Sequence, residues 1–140
     1  MLQQVQIFAE NKPGRVFAIM ETLKNSQINV RAMSITENAD HGFVRIIAKD
    51  AEKAVEILKQ GGFKAKKVDV VGFSVPDKFG ALCDVLQLLG ENGVNIEYAY
   101  SLMGCKHGNA NILIRVKDTE KAEAILVNAG IKLFTNQDLS

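Results

Sequence analysis

Charge of one sign is what this chain has least of: 17 Lys and Arg stand against 16 Asp and Glu, a formal net charge of +1 over 140 residues. So even a balance exerts no long-range pull on polyanions, and neither nucleic acid nor an acidic membrane surface is an expected partner. No apolar run approaches the roughly 20 residues of a membrane helix. The opening Met1-Leu2-Gln3-Gln4-Val5 has neither the charged region nor the apolar stretch of a signal peptide. A cytoplasmic protein is expected. Cysteine is scarce: Cys83 and Cys105 have no counterparts in the first half of the chain, where Phe17 and the region 36–41 stand, so they form no repeated disulfide framework and are expected as reduced thiols. Clustered or repeated Ser/His/Asp and Cys/His arrangements are lacking as well, which argues against catalysis and implies no cofactor. Cys105 and His107 offer two potential ligands on one loop, too few for zinc or nickel.

What the chain does have is a duplication. Val5 to Val30 aligns with Val71 to Ile96 at an offset of 66, matching Lys12 with Lys78, Gly14 with Gly80, Leu23 with Leu89 and Asn29 with Asn95. From Lys49 the offset is 68, and Lys49-Asp50, Glu52-Lys53-Ala54, Ile57-Leu58, Gly62 and Lys64 recur as Lys117-Asp118, Glu120-Lys121-Ala122, Ile125-Leu126, Gly130 and Lys132. A period near 70 is too long for a solenoid repeat and suits a small domain in tandem. The expected units are residues 1–70 and 71–140.

Both copies carry one order of elements. Val5, Ile7 and Ala9 alternate with polar residues, the period of a half-buried strand, although Phe8 breaks the pattern. A turn, Asn11-Lys12-Pro13-Gly14, precedes Val16, Ile19, Met20 and Leu23 at helical spacing; Leu82, Val85, Leu86 and Leu89 are read as the second copy's stripe. Two strands, 28–36 and 43–49, flank the polar hairpin 38–42, whose counterpart 104–108 is expected to absorb the two extra residues. Asp50 and Asp118 sit where a helix N-cap belongs, and Gly61-Gly62 ends that helix. A last strand starts at Lys64. The order strand, helix, strand, strand, helix, strand, performed twice, predicts an α+β protein of two tandem ferredoxin-like βαββαβ units, each an antiparallel sheet with its helices on one face. That fold names no function by itself.

The loops before the first helices are the candidate sites. A glycine opening a helix lets a ligand approach the first free amides, whose partial positive charge favours a carboxylate. Asn11 or Asp77 nearby, and Asn29 or Asn95 further on, supply acceptors for an ammonium. Each of these residues is also ordinary punctuation for turns and helix starts. Their recurrence in both copies favours a site.

Phe8-Ala9-Glu10-Asn11-Lys12-Pro13-Gly14-Arg15-Val16, followed by Ile28-Asn29-Val30, resembles the ACT domain, a regulatory module that binds amino acids; the resemblance spans the chain as two ACT units. It implies a ligand site between two units, lined by Asn11, Gly14, Arg15, Asn29 and the backbone of Val30. In the second copy it implies Asp77, Gly80, Ala81, Asn95 and Ile96. That copy departs from the pattern, with Asp77 and Phe79 in place of the Asn and Pro, so its site need not be equivalent. The resemblance further implies a free amino acid as ligand, an enzyme or regulator acted on in trans, and no catalytic activity.

ACT pairs that join edge to edge through their second strands would separate the end of one unit from the start of the next by about 29 Å, six strand spacings. No linker spans that gap between Lys67 and Val75. The halves are therefore expected either to exchange terminal strands or to make their edge contact with another chain, as a homodimer. Two rivals stand beside this reading. One is an interaction module without ligand. The other is an RNA-binding module, suggested by Gly42-Phe43-Val44-Arg45-Ile46 but weakened by Asn109-Ala110-Asn111-Ile112-Leu113, which has no aromatics.

Overall fold

In the computed structural model, which describes residues 1–37, 41–104 and 108–139, the helical and extended segments arise in the order the periodicities predict. Strand β1 (Leu2–Glu10) leads to helix α1 (Arg15–Asn25), strands β2 (Ala32–Glu37) and β3 (His41–Ile47), helix α2 (Ala51–Gln60) and strand β4 (Lys64–Pro76). The second copy follows with α3 (Ala81–Glu91), β5 (Ile96–Ser101), β6 (Asn109–Val116), α4 (Thr119–Asn128) and β7 (Lys132–Phe134). The fourth strand of the first copy and the first strand of the second are thus one 13-residue strand, β4. In its sequence, Lys64 to Pro76, Asp69, Gly72 and Ser74 stand singly among strand formers with no cluster of turn residues, and the strand runs from one copy into the next without interruption. The hairpin tips 38–40 and 105–107, and with them Cys105, His107 and most of the segment expected to absorb the two extra residues, lie outside the described residues.

Two compact units emerge: one of Gln3–Val68 with Asn136–Ser140, the other of Asp69–Thr135 with Met1–Leu2. They differ from the expected units 1–70 and 71–140 at the junction and at both chain ends. In the first unit the strands lie in the order β2-β3-β1-β4. Here β1 and β3 are antiparallel with Phe8 opposite Phe43, and β2 and β3 antiparallel with Ile35 opposite Val44. In the second unit β4 lies between β6 and β7, with β5 beyond β6. Ser74 faces Asn111 there, and β7 covers only Gly72 to Ser74.

Each unit builds one core between its helices and one sheet face. Val5, Ile7, Ala9, Val44 and Ile46 meet Ile19 and Leu23 of α1 and Ala54 and Leu58 of α2. Phe73, Ile112 and Ile114 meet Val85, Leu89, Ala122 and Leu126 in the second. Full burial of such a side chain contributes about 1.5–3 kcal/mol. The expected stripe of α3 is corrected here: Leu82 and Leu86 are 39% and 38% exposed. The buried line is Ala81, Val85 and Leu89, residues spaced by four along one face. Strand β2 also starts later than expected, at Ala32, so that Asn29 precedes it. Phe8 interrupts the alternation of β1 because it points to the face opposite the helices, where it is 36% exposed.

At the ends of the chain, polar bonds add to the packing of buried Leu2 and Leu139. Asn136 accepts from the Gln3 amide at 2.7 Å and donates to the carbonyls of Gln3 and Ala48 at 2.9 and 2.8 Å. Its side chain completes the first unit from the far end of the sequence.

Candidate functional site

Helices α1 to α4 begin in two contrasting ways. At α2 and α4 a short carboxylate caps the first turn, Asp50 Oδ1 accepting from the Lys53 amide at 3.0 Å and Asp118 Oδ1 from the Lys121 amide at 3.1 Å. At α1 and α3 the N-cap is Gly14 or Gly80, with φ of 85° and 81° and no side chain to cap anything. Left-handed backbone of that kind strains any residue with a Cβ, which explains the glycines. The consequence is chemical: the first-turn amides of Val16 and Phe17, and of Leu82 and Cys83, receive no side-chain cap. An exposed positive helix end is left open in both copies.

The turns that present those ends match in hydrogen bonding. The Lys12 amide donates to the Glu10 carbonyl at 2.9 Å and the Arg15 amide to the Lys12 carbonyl at 3.3 Å. The Lys78 amide to Pro76 and the Ala81 amide to Lys78 repeat both distances. Asn11 and Asp77 are exposed on them. Phe79, in the place of Pro13, stands wholly in solvent. Lys12 folds back onto Glu10, Nζ 2.9 Å from Oε2, and this hydrogen-bonded ammonium holds the Glu10 carboxyl below its ordinary pKa.

Asn29 and Asn95 lie elsewhere. Each follows the C-terminal end of the helix that its glycine opens, and α1 and α3 are 11 residues long, about 16 Å. No single unit brings Asn11, Gly14 and Arg15 to Asn29 and Val30, or Asp77, Gly80 and Ala81 to Asn95 and Ile96. Asn95 instead borders a cavity of about 350 Å³ with Lys117, Asp118 and Lys121 at the start of α4. Val30 and Ile96 turn their side chains to the cores, leaving their backbone for any ligand contact.

The two copies differ most beside the first turn of the helix. Arg15 lays its guanidinium over the Phe63 ring, 5.3 Å from the centroid. Its Nε is buried with no hydrogen-bond partner among the described residues. At the matched positions the second copy has Ala81 and Ile131, and a cavity of about 500 Å³ opens there. Val75, Val85 and Leu88 help to floor it, with Lys78, Asp84 and Lys132 also in its lining. Asp84, Ile131 and Lys132 were not among the residues the sequence singled out. Aligning the copies column by column for size, Arg15 against Ala81 and Phe63 against Ile131, is the signal that finds them.

Among the described residues no three or more His, Cys, Asp and Glu gather as metal ligands. Cys83 is a free, exposed thiol. No helix among the described residues is long and apolar enough to cross a membrane.

The family model described as an ACT domain pair matches residues 1–140. The crystal structure of protein BT0572 from Bacteroides thetaiotaomicron is 40% identical, with 99% of this chain and 94% of that one covered and a TM-score of 0.91. The ligand-free regulatory subunit of aspartate kinase from Thermus thermophilus shares the fold at 18% identity, 91% coverage of each chain and a TM-score of 0.64. Its counterpart from Thermus flavus stands at 17% identity, with 91% and 92% covered and a TM-score of 0.60. No functionally curated protein matches the chain.

Proposed function

Because the chain belongs to the ACT domain pair family, we propose that it is a regulatory protein that binds a free amino acid and signals its occupancy to a partner. The observation that carries this reading is the pair of glycine-opened, uncapped helix ends, which contrast with α2 and α4, each capped by its own aspartate. The ligand carboxylate sits on the first-turn amides. Asn11 in one copy and Asp77 in the other accept from its ammonium, and the backbone of Val30 or Ile96 beside Asn29 or Asn95 closes the site from a second unit. Charge-assisted bonds of this kind contribute about 1.5–3 kcal/mol each, which after ordering costs corresponds to micromolar to millimolar dissociation constants.

The cavity beside Ala81 takes the ligand's side chain in the second copy, whereas Arg15 and Phe63 occupy the matching space in the first. The two sites are therefore unequal in the side chains they admit. Since the glycine and asparagine groups of one unit lie a helix length apart, the reading requires a neighbouring ACT unit, and a homodimer supplies it. In its support, β2 is the edge strand of the first unit and exposes Met33 and Ile35 at 44% and 50%. The likeness to regulatory subunits of aspartate kinase favours an enzyme as the partner in trans. The chain itself is read as non-catalytic.

A thermal-shift screen of the twenty amino acids at millimolar concentration tests the reading. Ligand at 100 times its dissociation constant adds about 2.7 kcal/mol to native stability, a rise of several degrees. A selective rise that Asn29→Ala or Asn95→Ala diminishes is expected. The combined change Ala81→Arg with Ile131→Phe should narrow which amino acids respond. No rise with any amino acid, in a chain with a clean melting transition, would instead indicate an interaction module without ligand.

A further inference from the structure

The sheet face of the first unit turned away from its helices carries a constellation that the amino-acid reading leaves unused. Phe8 on β1 and Phe43 on β3 stand directly opposite each other, their rings edge to face with centroids 6.1 Å apart. The Arg45 guanidinium lies 5.6 Å from the Phe43 centroid, and Lys64 Nζ lies 5.8 Å from that of Phe8. Arg45 is itself braced across the sheet, Nε donating to Gln6 Oε1 at 3.2 Å and Nη1 to Thr36 Oγ1 at 2.8 Å. A cavity of about 210 Å³ opens among Gln6, Phe8, Phe43, Lys64, Ala65 and Lys66. Lys64 and Lys66 are exposed on either side of buried Ala65, so they share the face of Phe8.

The fold does not demand this arrangement. In the second unit the matched positions hold Ser74 and Asn111, also directly opposite each other, and these two polar side chains simply hydrogen-bond. Leu113 stands where the first unit has Arg45. Charge divides in the same direction: the first unit holds eleven Lys and Arg against eight Asp and Glu, the second six against eight. The near-neutral total that argues against a polyanion thus conceals a basic unit.

We propose that this face binds a free nucleotide, with its base against Phe8 and Phe43 and its phosphate on Lys64 and Lys66. Two aromatic rings and an arginine plane offer stacking surface, which every nucleobase accepts. Two lysines and no carboxylate line the cavity, with the Arg45 guanidinium beside Phe43, and together they select a ligand that is planar at one end and multiply anionic at the other. The Gln6 amide, its Oε1 already bonded to Arg45, keeps N–H donors for a base edge. A cavity smaller than the roughly 300 Å³ at which drug-sized sites begin suits one ring system. Only one unit carries it, which favours a single nucleotide over a strand.

The test is calorimetric titration of the full chain with AMP, CMP, GMP and UMP at low salt, alongside NMR mapping of the amides. Saturable binding at micromolar to millimolar concentration is expected, with shifts confined to β1, β3 and the start of β4. Phe8→Ser with Phe43→Asn, which installs the pair the second copy already folds with, should weaken binding at least tenfold while leaving any amino-acid-induced melting shift in place. Lys64→Gln with Lys66→Gln touches no core residue and should weaken binding and flatten its salt dependence, so the proposal stays testable if the aromatic variant folds poorly. Absence of saturation with every nucleotide, or binding that neither variant alters, would overturn it. Oligonucleotides that bind more tightly with each added residue would overturn the mononucleotide assignment in favour of a single strand.

Discussion

Gly14 and Gly72 are both indispensable glycines, for opposite reasons. Gly14 has room around it, with nothing within 4 Å of where a Cβ would be, but its φ of 85° is left-handed. Gly72 has unremarkable backbone, but a Cβ there would fall 2.7 and 2.8 Å from the Phe134 ring and 2.9 Å from Leu2 Cδ2. Gly14→Ala should therefore cost about 1–2 kcal/mol through conformation alone, and Gly72→Ala about 1–3 kcal/mol through overpacking. Chemical denaturation of the two variants checks both figures. In the Gly72 variant, Phe134→Leu should recover part of the loss, whereas no trimming of a neighbour should rescue Gly14→Ala. The Glu10 carboxyl offers a second check. Its pKa is lowered by Lys12, so whatever the pair adds to stability is present at neutral pH and fades as pH falls through the lowered value. Lys12→Met should raise the Glu10 titration midpoint toward the ordinary carboxylate value, read by NMR of its side-chain carbonyl carbon.

Elements were legible in the sequence wherever their cause is local. Asp50 and Asp118 announced helix starts because a cap needs only a short acceptor three residues before an amide, and both bonds exist. Asp50→Ala and Asp118→Ala should each cost about 1 kcal/mol, measurable as lowered denaturation midpoints. Where the cause is distant, spacing alone misleads or falls short. Leu82 and Leu86 match the first copy's spacing as well as the true stripe does, and only the packing of Ala81, Val85 and Leu89 in the second core decides between them. The break at Phe8 was visible, but its partner Phe43 lies 35 positions away across the β1–β3 register. The same holds for Arg15 and Phe63, joined by a contact that no spacing rule anticipates. Asn29 and Asn95 are candidates by residue type alone, and their separation from Gly14 and Gly80 follows only from the lengths of α1 and α3.

For the whole molecule, the most direct test is complementation between chains. If the Asn11 end of one copy meets the Asn29 end of another, Asn11→Ala and Asn29→Ala chains should each bind weakly alone, and a mixed dimer should regain one intact first-copy site. In an equimolar refolded mixture half the dimers are mixed, so calorimetry would then give about a quarter of the wild-type stoichiometry for that site. Wild-type chain that is monomeric by light scattering at binding concentrations would exclude the arrangement. The duplication made two units readable from the sequence, but not the sharing of β4 or the assignment of residues 136–140 to the first unit, because Asn136 reaches Gln3 and Ala48 across most of the chain. Asn136→Ala, which strands three backbone partners, should destabilise the first unit by about 2 kcal/mol. That same closure bears on how the protein is made. A ribosome releases Val68 some 72 residues before Ser140, a wait of roughly 4–14 s at ordinary elongation rates. Through that interval the half that emerges first remains unfinished, and the half that emerges second can be the first to settle.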